Sequence, residues 1–122
     1  MRVLFFLFLA HLNFGCPPIN DDQSMETIQH SIEENLTIEL PSNVATGKSW
    51  LLVENSDSTR LKLVSKNYIS SPAKIDGKPG KDHFEFAPMK KGTVHLAFVY
   101  HYPFEKVIPK DAERKHFKIV IQ

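Results

Sequence analysis

Apolar residues in this chain return at every second position, a pattern that admits strands and no sustained helix. Leu36, Ile38 and Leu40 alternate with Thr37 and Glu39, the spacing of a strand with one face in a core. Phe84 and Phe86 alternate with His83 and Glu85. Val94, Leu96, Phe98 and Tyr100 give the strongest run, and Phe117, Ile119 and Ile121 the last one. Arg60 through Val64 is a further short strand. Trp50 through Glu54 is apolar on both faces, which predicts a central strand with Trp50 anchoring the core. Turn residues separate the runs: Asn55-Ser56-Asp57, Pro88 through Gly92, and Pro109-Lys110-Asp111. Residues 65–81 read as one long connection, and connections of that length are often functional. Short strands with turn signals between them predict an all-β sandwich with Greek-key connections over residues 32–122.

Size and charge narrow the function. A chain of 122 residues, 42% hydrophobic and 24% charged, suits one globular domain. The formal net charge is +1, from 15 basic and 14 acidic residues. That leaves no basic surplus for nucleic acid. Lys74, Lys78, Lys81, Lys90 and Lys91 read as solvated loop lysines, because no aromatic ladder interleaves them.

Arg2 followed by Val3 through Ala10 has the charge and length of a signal peptide. The run breaks at His11 and Asn13, short of the roughly 20 apolar residues that a bilayer span needs. We therefore expect a leader over residues 1–16 and a flexible arm over residues 17–31. Cys16 is the only cysteine, so an intrachain disulfide is excluded. Directly after Gly15, it also fits a bacterial lipoprotein leader. A secreted or vesicular protein and a lipid-anchored one both remain open. Asn35-Leu36-Thr37 is a glycosylation sequon.

Catalysis is not expected. Cys16 has no histidine partner nearby in sequence, and His83, His95, His101 and His116 fall on predicted strands. No spacing suits a metal, so neither metal nor cofactor is expected. Asp21-Asp22 and Glu33-Glu34 are adjacent pairs, which diverge in extended chain and form no acid–base dyad.

Three loops carry unusual residues. The first is Asn43-Val44-Ala45-Thr46-Gly47, followed by Trp50. The second is Gly77-Lys78-Pro79-Gly80, before His83 and Phe84. The third is Tyr102-Pro103-Phe104, after Tyr100 and His101. In order and spacing they resemble the chagasin family of papain-type cysteine peptidase inhibitors. The family's first motif is Asn-Pro-Thr-Thr-Gly with a Trp after it; Asn43, Thr46, Gly47 and Trp50 match, and Val44 and Ala45 depart. Its second is Gly-x-Gly-Gly before a strand with Phe; Gly77, Gly80 and Phe84 match, and Pro79 departs. Its third is Arg-Pro-Trp or Arg-Pro-Phe; Pro103 and Phe104 match, and Tyr102 stands in place of Arg.

The resemblance implies an immunoglobulin-like sandwich with these loops at one end. It also implies reversible, competitive inhibition of papain-like proteases, with the first loop over the catalytic centre and the others gripping either side. The residue types suit that role. Asn43 can bond to its own turn backbone, and Gly47 permits the positive φ of a chain reversal. Thr46 offers a small hydroxyl and methyl to the catalytic groups. Gly77 and Gly80 allow close backbone approach, while Pro79 removes a donor. Pro103 holds Phe104 outward, and Tyr102 can stack as Arg does, without charge. A monomer is expected. The rival reading is a secreted immunoglobulin-like binding or adhesion module, whose contacts would lie on a sheet face.

Overall fold

Two sheets close over the alternating apolar residues. The computed structural model describes residues 25–71 and 80–122. Seven strands run in order: β1 (Met25–His30), β2 (Leu36–Ser42), β3 (Ser49–Asn55), β4 (Leu61–Ile69), β5 (Gly80–Pro88), β6 (Gly92–His101) and β7 (Arg114–Ile121). One sheet has the order β1-β7-β6-β3 and the other β2-β5-β4. Neighbours are antiparallel except β1 and β7, which are parallel. The result is the all-β, immunoglobulin-like sandwich that the alternation and the resemblance predict.

The core is built from the residues that set the period. Leu36, Ile38 and Leu40 of β2 and Phe84 and Phe86 of β5 meet Val94, Leu96 and Phe98 of β6 and the apolar residues of β7. Phe98 is the centre of the aromatic packing. Its ring lies edge-on to Phe84 at 4.8 Å, Phe117 at 5.6 Å and Phe86 at 6.5 Å, the geometry that ring quadrupoles favour. Asp82 joins the sheets across this core. It is buried on β5, and its Oδ2 accepts the Trp50 backbone N–H of β3 at 2.8 Å.

Three expectations change. Residues 25–30, read as part of a flexible arm, form β1 and pair with His116 through Ile121. The rest of that arm and the leader, with Cys16, lie outside the described residues. β3 is an outermost strand, not a central one, paired within its sheet only with β6. Its two-faced apolarity comes from a bulge between Leu52 and Glu54, which takes Val53 out of the ladder and leaves it 48% exposed. The strand buried on both faces is β6, where Ala97 and Val99 of the outer face are as covered as Leu96 and Phe98 of the inner one. β4 continues to Ile69, well beyond Val64. A second bulge, between Leu63 and Ser65, shifts the phase there. Past it the inward positions are Lys66 and Tyr68, paired with Phe84 and Asp82. Lys66 lays its ammonium 5.5 Å from the centre of the Phe84 ring.

The registers fix which loops share an end. Ser42 pairs with Gly80, Ile69 with Lys81, and Ser49 with His101. The links β2–β3, β4–β5 and β6–β7 therefore leave from one end of the sandwich. The links β1–β2, β3–β4 and β5–β6 leave from the other.

Candidate functional site

The β2–β3 link is a closed turn. Asn43 is extended, and its Oδ1 accepts the Ala45 N–H at 3.0 Å, capping a short 3₁₀ helix over Val44–Thr46. Such a cap is typically worth about 1 kcal/mol. Gly47 ends the turn at φ 77°, a left-handed conformation that glycine adopts without penalty. Its N–H returns to the Val44 carbonyl at 3.0 Å. The four tip residues, Val44 through Gly47, are all exposed.

Tyr100 ties this turn to the framework. Its hydroxyl accepts the Asn43 N–H at 3.0 Å and lies 3.2 Å from Thr46 Oγ1. Below it, the Tyr100 ring packs on Trp50, its cross-strand partner, with centroids 5.1 Å apart. Trp50 donates its indole N–H to the Pro41 carbonyl at 2.8 Å, closing the base of the link. Thr46 is engaged as well. Its hydroxyl donates to the Asn43 carbonyl at 2.7 Å and accepts the Lys48 N–H at 3.2 Å. The hydroxyl is thus a strut of its own turn.

The β6–β7 link is pinned at both ends. His101, 5% exposed, has Nε2 3.1 Å from Glu105 Oε2. The Glu105 N–H donates to the Tyr102 carbonyl at 3.2 Å, so Tyr102 through Glu105 form a tight turn. Farther on, Arg114 donates to the carbonyls of Lys110, Ala112 and Pro109. Pro103 and Phe104 stand at the exposed tip, Phe104 at 76% exposure. The Tyr102 ring is half-buried. It packs between Gly47 of the first turn and Phe104, whose ring centre is 5.7 Å away. The first and third loops are thus side by side, with Tyr102 facing Gly47 and Lys48.

Of the second loop, Gly77, Lys78 and Pro79 lie outside the described residues. Gly80 is the first residue of β5. Its N–H donates to the Tyr68 hydroxyl at 3.1 Å, and a Cβ there would strike the Ile69 carbonyl and the Tyr68 ring. Among the described residues no group of His, Cys, Asp and Glu could hold a metal ion. No helix among them is long and apolar enough to cross a membrane.

Three residues at this end escaped the sequence reading. Lys48 lies beside Tyr102 with its ammonium 5.5 Å from the ring centre, and Glu105 holds His101. Val107, 80% exposed, adds an apolar side chain near Phe104 in the chain. No motif marks any of them. Only the inward-facing Tyr100, a phenol that needs a polar partner when covered, carried a signal of its role.

A β-sandwich that presents short, internally braced loops at one end is a scaffold for docking, and no catalytic constellation accompanies it among the described residues. The comparisons agree. Residues 29–121 match the model of the chagasin family peptidase inhibitor I42, and the chain belongs to that family. No curated protein sequence matches the chain. Among solved structures, the cysteine protease inhibitor EhICP2 from Entamoeba histolytica is similar at TM-score 0.63 and 23% identity, over 79% of this chain and 85% of that one. The Leishmania mexicana ICP is similar at TM-score 0.59 and 22% identity, over 87% of this chain and 96% of that one. PbICP-C, solved in complex with falcipain-2, is similar at TM-score 0.53 and 21% identity, over 87% and 95%.

Proposed function

We infer that this chain is a reversible, competitive protein inhibitor of papain-like cysteine proteases. Loops at one end of the sandwich dock into and around the active-site cleft. The single observation that carries this is the braced pair of the first and third loops, with Val44–Gly47 and Phe104 as exposed tips. Family membership supplies the class of partner, and the PbICP-C complex with falcipain-2 supports it by similarity.

The geometry explains why such a protein inhibits without being consumed. The Val44–Thr46 turn is helical and closed by its own hydrogen bonds. It offers no extended backbone to lie along a cleft as substrate does. Its bracing also limits the entropy lost on docking. A standard interface buries about 800 Å² per partner, an area that neighbouring loop tips can supply. By resemblance to the family, we also propose Gly77, Lys78, Pro79 and Gly80 as protease contacts. We further propose export from the cytoplasm, on the signal-peptide-like run of Arg2 and Val3 through Ala10.

Titration of the purified protein into papain and a cathepsin-L-like enzyme, with a fluorogenic peptide as reporter, tests this reading. Competitive and reversible inhibition at nanomolar concentration is expected, and Thr46→Asp should weaken it strongly. A folded protein that leaves both enzymes active at micromolar concentration would overturn the reading.

A further inference from the structure

Tyr102 stands where the resemblance places an arginine, and its surroundings are not those of a side chain waiting for a partner. The ring carbons Cε1 and Cδ1 approach the face of Gly47 closely enough that a Cβ there would be 3.5 and 3.7 Å from them. The Lys48 ammonium lies 5.5 Å from the ring centre. His101 meets the ring edge-on at 5.3 Å, and Phe104 leans on it at 5.7 Å. Two loops and the end of β6 thus share one half-buried ring.

Resting on the inhibitor reading, we propose that Tyr102 is a positioning residue: its ring sets the spacing between the first loop and the Phe104 tip, with Lys48 as the cation that holds it. The ring sits at van der Waals distance from the position a Gly47 Cβ would take, so the left-handed φ of 77°, and not the ring, is what calls for glycine there. The cation over the ring face adds an electrostatic attraction that favours this placement. Both tips must reach one rigid enzyme surface together, so an error in their spacing weakens both contacts.

The proposal reverses a natural expectation. If Tyr102 were a weakened version of the family's arginine, restoring that arginine would improve inhibition. Here a guanidinium would face the like charge of Lys48. Glu105, Asp111 and Glu113, which line the adjoining cleft with Lys48 and Tyr102, would draw it away from Gly47. The spacer would be lost.

The test compares Tyr102→Phe, Tyr102→Ala and Tyr102→Arg in the full protein, with thermal midpoints confirming that each is folded. Inhibition by Tyr102→Phe should stay within about threefold of the parent. Tyr102→Ala and Tyr102→Arg should each lose about tenfold or more. Proton NMR of the free proteins gives a readout that needs no enzyme. The ring current on the Gly47 α-protons should persist in Tyr102→Phe and vanish in the other two. Inhibition by Tyr102→Arg equal to or tighter than the parent, or Gly47 resonances unmoved in Tyr102→Ala, would overturn the proposal. If the parent itself failed to inhibit, the functional reading would fall, and the Gly47 resonances would still decide whether the ring is the spacer.

Discussion

Phe104 illustrates how single side chains divide between holding the docking end together and meeting a partner. An aromatic that is 76% exposed contributes little to folding and holds apolar surface ready for burial. Phe104→Ala is expected to weaken inhibition by about 1–3 kcal/mol, roughly 5- to 150-fold in Ki. Its thermal midpoint should stay within about a degree of the parent's; a large fall would assign Phe104 to the fold. Roles set by local chemistry were legible from the sequence. Asn43 caps its own turn and Gly47 reverses the chain, as neighbouring residues alone suggest. Roles set by distant partners were not. The Thr46 hydroxyl meets Tyr100 across 54 positions of chain, and Tyr102 meets Gly47 across the two loops. Nothing in either segment alone signals those contacts.

At the scale of elements, Gly80 shows how a motif residue can serve the framework. Read as a loop glycine that lets the backbone approach a partner, it sits where β5 passes tightly against the end of β4. Gly80→Ala is expected to lower stability by about 1–3 kcal/mol through overpacking against backbone. Chemical denaturation checks this, and an unchanged midpoint would mean that β4 yields easily at Ile69. The strands themselves were legible wherever alternation held, in β2, β5, β6 and β7. The exceptions, β1, β3 and β4, all lie at sheet borders. β1 has only Ile28 and His30 partly covered, so Met25–His30 carries almost no pattern. In β3 and β4 a bulge breaks the phase, and the sequence beyond it looks like another element. β2 borders its sheet as well, but it has no bulge and buries every second residue, so its register stays legible.

For the whole molecule, electrostatics turns on two shifted carboxylates, Glu39 on the outer face of β2 and Asp57 in the β3–β4 turn. Hydrogen bonds from Lys81 and then His83 hold Glu39 below the usual carboxylate range. The Thr59 side chain, with help from Arg60, does the same for Asp57. Both groups are acids with depressed values. Their stabilisation is therefore complete above about pH 4–5, where the unfolded chain titrates, and is lost as pH falls through the folded values. A Glu39→Gln, Asp57→Asn double variant should melt slightly below the parent at pH 7. The two melting curves should converge near pH 2, and a gap that persisted there would assign the loss to packing. Exposure keeps the effect modest. The two bulges have a further consequence, for how the protein behaves when crowded. Strand-by-strand growth of a filament requires a border whose N–H and C=O groups keep regular step. Val53 and Val64 interrupt that step on β3 and β4. On the opposite flank Pro41 removes a donor from β2. A copy arriving at three of the four borders of this sandwich meets an irregular template, so concentrated solutions should stay free of fibrils even where the valines make two molecules cling briefly.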